Sequence, residues 1–98
     1  MSVELVFEAN NRESAQIVVN ALDAYKAKLR ASIQRTRRNV SQFEQRYGVT
    51  TAKFLQEMVA EDLVGGDIEY VEWAGEAKLL EGLETELRDL EDVRYRVP

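Results

Sequence analysis

The chain has no cysteine, no histidine and only one proline among its 98 residues. The first two absences exclude disulfides, thiolate zinc sites, thiol nucleophiles and imidazole bases, and with them most catalytic classes. Five glycines and one proline provide few turns, which predicts a small number of long elements. Because cysteine and histidine are missing, we expect no enzymatic activity. A chain of this length builds a single core, so we expect one domain over residues 1–98.

Long apolar runs are missing too. No segment approaches the roughly 20 apolar residues of a membrane span. The first residues, MSVELVFEANN, lack the basic region and the long apolar core of a signal peptide. We therefore expect a cytoplasmic protein that does not contact a membrane.

Basic side chains are outnumbered, thirteen against eighteen acidic ones, and the two signs are separated along the chain. Residues 1–50 carry a net charge of +3, and residues 51–98 carry a net charge of −8. Phosphate binding requires a basic face, so this net acidic chain argues against nucleic acid as a direct ligand.

Residues 12–47 contain neither proline nor glycine and are rich in helix-forming residues, which predicts one long helix. Its apolar residues recur in steps of three and four, so one face is buried along its length. At about 50 Å such a helix requires a second helix alongside it. Gly48 follows at the position where a glycine with positive φ ends a helix. The predicted stripe comprises Val18, Leu22, Tyr25, Leu29, Ile33, Thr36, Val40, Phe43 and Tyr47.

The second half predicts a short helix over 51–61, a break at Gly65 and Gly66, and a second long helix over 68–92. β-prone segments at 3–7 and 93–97 flank the helices. The predicted fold is mainly α, an antiparallel hairpin of two long helices with a short connecting helix and extended or β segments at both termini. The stripe of the second helix comprises Trp73, Ala77, Leu80, Leu83, Leu87 and Leu90.

The hairpin brings the two terminal segments to the same end. They can pair with each other or with the sheet of another protein. Because an isolated two-stranded ribbon is marginal in water, we expect another chain to complete the pairing.

Two positions of the second helix carry structural predictions. Glu76 falls on the apolar stripe, where a lone carboxylate is costly. We expect it to pair with Arg37 or Ser41, with a contact to a basic partner as the alternative, and in either case to set the register. Trp73 is expected in the core at the closed end of the hairpin, together with Tyr47 and Phe43.

Acidic residues cluster at the start of the second helix, but their spacing matches no metal-binding loop. We interpret them as a solvated helix face and predict no metal and no cofactor. The cluster comprises Asp62, Asp67, Glu69, Glu72 and Glu76.

Basic residues in the first helix flank its apolar stripe on both sides, where they can pair with the acidic second helix. That placement favours intramolecular charge matching over a nucleic-acid site. The basic residues are Lys26, Lys28, Arg30, Arg35, Arg37 and Arg38.

A second apolar patch, formed by Ile17, Ala21, Ala24 and Ala31, lies away from the stripe and is expected to face another molecule. Acidic residues of the second helix, among them Glu81 and Asp89, also lie off its stripe. The candidate partner-binding residues are Ile17, Ala21, Ala24, Glu84, Glu86, Glu91, Asp92 and Tyr95.

The segments Arg46-Tyr47-Gly48 and Glu72-Trp73 give residues 40–92 a pattern that resembles small acidic helical proteins of archaea and cyanobacteria. In that pattern a Tyr-Gly reversal is followed by a short helix, a Gly-Asp step and a Glu-Trp pair. Those proteins look like the antitoxin partners of two-gene toxin–antitoxin modules. The resemblance implies a partner protein, a toxin encoded by the adjacent gene.

The residues themselves are compatible with this interpretation, since a small acidic hairpin is suited to covering a basic protein. The alternative is a homo-oligomeric coiled-coil scaffold or adaptor, in which the second apolar patch closes a homodimer. An overlapping reading frame for a small basic protein favours the antitoxin, and a solitary gene favours the scaffold.

Overall fold

The computed structural model describes residues 4–57 and 68–96, and within them the protein is mainly helical, which confirms the predicted class. The predicted positions 3, 58–61 and 97, the break at Gly65 and Gly66, and the acidic residues Asp62 and Asp67 lie outside the described residues. The elements are β1 (Glu4–Val6), α1 (Arg12–Tyr47), α2 (Thr51–Glu57), α3 (Ile68–Glu91) and β2 (Arg94–Arg96).

Side chains and backbone geometry mark both ends of α1. Before the helix, the Oδ1 atom of Asn11 accepts a hydrogen bond from the backbone N–H of Ser14 at 2.8 Å. At the other end, Gly48 has φ 67° and ψ 26°, and its N–H donates to the carbonyl of Glu44 at 2.9 Å. The prediction of positive φ at Gly48 is confirmed. Glycine adopts this conformation without the clash that a Cβ atom causes.

The two long helices lie side by side and run in opposite directions. Arg46, near the end of α1, reaches Glu69 near the start of α3, and Arg30 reaches Glu91 at the end of α3. The 36 residues of α1 extend about 54 Å and the 24 residues of α3 about 36 Å. The first third of α1 therefore extends beyond α3, in a molecule that measures 58 × 25 × 20 Å.

The core follows the apolar stripe of α1. Leu29, Ile33 and Val40 are buried, and the hydroxyl of buried Thr36 is satisfied because it donates to the Ser32 carbonyl at 2.8 Å. Ala15, one step before the predicted stripe, is buried as well.

Tyr25 departs from the predicted stripe, because its side chain is 46% exposed. The residue lies at the edge of the stripe, where its hydroxyl donates to the carboxylate of Glu86 on α3. A tyrosine at such an edge can pack its ring and still bring its polar end to the surface.

Aromatic rings close the end of the hairpin where α2 packs. Trp73 and Phe54 are fully buried, and their rings stack in parallel with centroids 3.9 Å apart. The indole N–H of Trp73 donates to the hydroxyl of Thr51 at 3.0 Å. The Thr50 hydroxyl accepts from the backbone N–H of Lys53 and so caps α2.

The terminal strands pair with each other. β1 and β2 run parallel, with Glu4 opposite Arg94, Leu5 opposite Tyr95 and Val6 opposite Arg96. Parallel strands cannot be joined by a tight turn, and here the whole helical hairpin connects them.

Candidate protein-binding surface

Charged side chains of α1 and α3 meet in a first row along one side of the buried stripe. Arg37 pairs with Glu84 at 2.9 Å, and Arg30 pairs with Glu91 at 3.8 Å. Along α1 the pairs are seven residues apart, and along α3 they are seven residues apart in the opposite direction. Two turns of each helix separate the pairs, so the row specifies one antiparallel register.

A second row lies on the other side of the stripe. The Asn39 side-chain amide donates to Glu76 at 3.2 Å, and the Arg46 guanidinium donates to Glu69. These pairs are also seven residues apart on both helices. The two rows together hold α1 and α3 at the same register from both sides.

The predicted partner of Glu76 is wrong, because neither Arg37 nor Ser41 bonds to it. Glu76 is half-buried and accepts a hydrogen bond from Asn39. Arg37 and Ser41 are each two residues from Asn39, which is about 200° around the helix, so both lie on the opposite side of the stripe. The expectation that Glu76 needs a donor is met by an amide instead of a cation.

Three of the acidic residues predicted to face a partner make bonds to α1 within the hairpin. Glu84 and Glu91 belong to the first row, and Glu86 accepts a hydrogen bond from Tyr25. The basic residues of the first helix were also expected to pair with the acidic second helix, and the structure gives Glu91 as the partner of Arg30 and Glu84 as the partner of Arg37. These acidic side chains flank the apolar stripe of α3 closely enough for long side chains of α1 to reach them.

The Tyr25 pKa is raised from its ordinary value of 10.0, first by the hydrogen bond to Glu86, then by desolvation and by the carboxylate's charge. An ionised Tyr25 would lose the proton that it donates and would lie beside a second negative charge. The pair therefore holds the neutral phenol.

Another set of acidic side chains on and just after α3 stays exposed and makes no hydrogen bond or ion pair within the described part of the chain. These side chains carry uncompensated negative charge on the surface that faces away from α1 or at its border. The set comprises Glu72, Glu81, Asp89 and Asp92, of which Asp92 belongs to the predicted partner-binding residues.

The apolar patch predicted on the first helix is exposed. Ile17 is 68% exposed, and Ala21, Ala24 and Ala31 are exposed as well. No described residue of the same chain covers this patch.

Sequence reasoning missed the exposed apolar residues of α3. Leu79 and Val71 are each 50% exposed, and Ile68 is 71% exposed. The signal was present, since Ile68, Gly75, Leu79 and Gly82 recur in steps of seven, four and three, outside the predicted stripe.

Tyr95 lies in β2, where the structure describes the backbone alone.

As the sequence reasoning expected, Trp73 is inaccessible, since it stacks on Phe43, Tyr47 and Phe54. No aromatic cage is open to a ligand at this cluster.

The grooves in the described surface are open and are lined by paired and unpaired charged side chains. One of them, about 580 Å³, lies along the first row and is lined by Arg30, Arg37, Glu84 and Glu91 among others. The described residues contain no group of acidic side chains arranged to hold a metal ion. No helix in the described ranges is both long and apolar enough to cross a membrane.

Comparisons of the chain with protein-family models, with curated proteins and with solved structures found no significant match.

Proposed function

We propose that this chain is a non-enzymatic protein-binding module that covers and neutralises a basic protein partner, as an antitoxin does. The observation that carries the proposal is the set of exposed acidic side chains on and after α3 that α1 does not neutralise. Of this set, Glu81, Asp89 and Asp92 are assigned to the partner contact.

The charges of the two long helices support this assignment. α1 contains eight basic and three acidic side chains, a net charge of +5, whereas α3 contains two basic and eight acidic ones, a net charge of −6. The two rows use part of the α3 charge within the hairpin. The remaining acidic side chains attract a basic protein over a distance of about one Debye length, roughly 8–10 Å.

The sheet offers a second contact. Among the described strands, β1 and β2 each have one neighbour, so the outer edge of each carries backbone groups available to another strand. β2 contains Arg94 and Arg96, and a basic partner strand would meet like charges there. β1 contains no basic residue, which makes the β1 edge the better contact for a basic partner.

The test begins with the product of the adjacent gene. The neighbouring protein should harm cells when expressed alone, and co-expression of this chain should remove the harm and give a complex in a pull-down. A neighbour that is equally harmless with and without this chain would overturn the proposal.

Matched charge variants then locate the contact surface. One variant replaces Glu81, Asp89 and Asp92 by the corresponding amides, and the control replaces Glu8, Glu13 and Asp23, which are exposed near the start of the chain. Both raise the net charge from −5 by three units. The first variant should lower the association rate several-fold at low ionic strength and the control should not. Equal effects of the two variants would exclude a local acidic surface.

Deletion of residues 94–98 tests the strand contact. The deletion removes β2, which supports β1. We expect faster dissociation of the complex with little change in the association rate. An unchanged dissociation rate would exclude the β1 edge from the contact.

A homo-oligomeric scaffold is the second candidate function. The exposed Ile17 and Leu79 favour it, since apolar side chains of this size are exposed on both long helices. A purified protein that self-associates tightly and ignores the product of the adjacent gene would support the scaffold.

A further inference from the structure

The hairpin has two broad faces, which the contacts between its helices distinguish. The first row lies on one of them, where the groove beside Glu84 is also lined by Leu55 of α2. The other is here named the open face. It carries the Tyr25–Glu86 hydrogen bond and the Asn39–Glu76 hydrogen bond.

Exposed apolar side chains extend along the open face. On α1, Ala21 is one turn before Tyr25, and Ile17 is one turn before Ala21. On α3, Leu79 lies three residues after Glu76, on the same side of the helix. Ile17 is 68% and Leu79 is 50% exposed, so a surface that contains both is poorly covered in the single chain.

Charged side chains on the open face are segregated by helix. Lys28 and Arg35 of α1 lie one turn from Tyr25 and Asn39, are exposed, and form no ion pair with any described residue. Glu72 and Glu86 of α3 lie on the same face. The open face is therefore basic along one helix and acidic along the other, with apolar side chains on both.

Such a face complements a second copy of itself. Consider two copies packed face to face and related by a two-fold axis parallel to their helices. In this dimer α1 of each copy packs on α3 of the other, and all neighbouring helices are antiparallel. Basic α1 then meets acidic α3 in both contacts. A perpendicular two-fold axis would bring like-charged helices together, which charge repulsion disfavours.

The hydrogen bonds within the hairpin set the relative heights of the two helices. Asn39 is level with Glu76, so Lys28, eleven residues before Asn39, is level with Leu87 and within reach of Glu86 of the second copy. Arg35, one turn before Asn39, is level with Leu79, over which its aliphatic stem can pack.

The size of the face suits a stable dimer. The molecule is 25 Å wide in its second dimension, and the helices overlap over the length of α3, about 36 Å. The product gives the face a projected area of about 900 Å² on each copy, and the two faces together, about 1,800 Å², are large enough to hold a specific interface of standard size.

From these observations we infer that the open face is the self-association surface of this protein, on which a second copy packs to form a four-helix dimer. The acidic residues assigned to the basic partner do not take part in the Lys28–Glu86 and Arg35–Leu79 contacts between the copies. Dimer formation and capture of the basic partner are therefore tested with different variants.

Sedimentation equilibrium of the purified chain, without any partner, measures the association. The chain has a mass of 11.2 kDa, and the dimer has twice that mass. Leu79→Glu should raise the dimer Kd about a hundredfold or more, because it buries a carboxylate in the interface. The matched control is Leu55→Glu, at a side chain 45% exposed on the opposite face, which should leave the Kd within about threefold. Circular dichroism establishes that both variants stay helical.

Charge reversal tests the orientation of the two copies. Lys28→Glu and Glu86→Lys should each weaken the dimer, and the double variant should recover most of the loss, because the pair is re-formed between copies. Any of three results would overturn the proposed dimer. The wild-type protein could have the mass of one chain at all concentrations, Leu79→Glu and Leu55→Glu could change the dimer Kd equally, or the double variant could fail to recover the Kd.

Discussion

Phe54 holds α2 against the hairpin, and its removal is the sharpest test of the closed end. The ring is fully buried, stacks on Trp73 and contacts the edge of Tyr70. A phenylalanine buries about 150–250 Å², which at about 25 cal/mol per Å² corresponds to about 4–6 kcal/mol as an upper estimate. Truncations of buried phenylalanine in protein cores cost about 3–5 kcal/mol. We expect Phe54→Ala to lower the free energy of unfolding by about 4 kcal/mol.

Urea denaturation followed by tryptophan fluorescence measures this change directly. Trp73 is the only tryptophan of the chain and is fully buried against Phe54, so its emission reports on the closed end. The control is Leu55→Ala in the same helix, where the side chain is 45% exposed and the loss should stay below about 1 kcal/mol. A loss below about 1 kcal/mol for Phe54→Ala, or equal losses for the two variants, would refute the packing of α2 on α3.

Three further outcomes are expected. Leu83→Ala should lower the free energy of unfolding, measured by urea denaturation, by about 2 kcal/mol. This is the lower end of the range for core leucines, because Leu83 is half-buried. A loss below about 0.5 kcal/mol, as at a surface position, would contradict its place on the apolar stripe of α3. Gly48→Val should destabilise by more than about 1 kcal/mol because a β-branched residue tolerates φ 67° badly, and an unchanged urea midpoint would contradict this. The raised pKa of Tyr25 means that the stabilisation from its bond to Glu86 is present below pH 10.0 and is lost as the pH rises through the folded-state pKa. In an absorbance titration at alkaline pH, Glu86→Gln should lower the pKa of Tyr25 relative to wild type, and no change would show that the carboxylate is not its cause.

The sequence alone determined the helices and the interior face of α1. Residues 12–47 contain no helix breaker, and Gly48 supplies the left-handed residue that ends the helix, both of which are local effects. The burial of Leu29 and Ile33 follows from helical periodicity, since residues three and four apart share one face.

The side-chain partners between helices depended on tertiary structure. The sequence reasoning identified Glu76 as a residue in need of a donor but assigned it to Arg37 or Ser41, and the structure supplies Asn39. Which side chain reaches which carboxylate depends on the register and on the side of the stripe, and helical spacing within one element fixes neither. Likewise, the sequence indicated that Arg37 can pair with the acidic second helix, and the structure supplies Glu84 as its partner.

The pairing of the termini is also a property of the folded chain. The β-prone composition of both ends was visible in the sequence, and the hairpin brings them to one end. Their parallel direction, with Glu4 opposite Arg94, is a feature of the tertiary structure. Local propensity acts over a few residues, whereas strand direction, helix register and the charge left exposed on α3 result from contacts between residues far apart in the chain, so only the tertiary structure decided them.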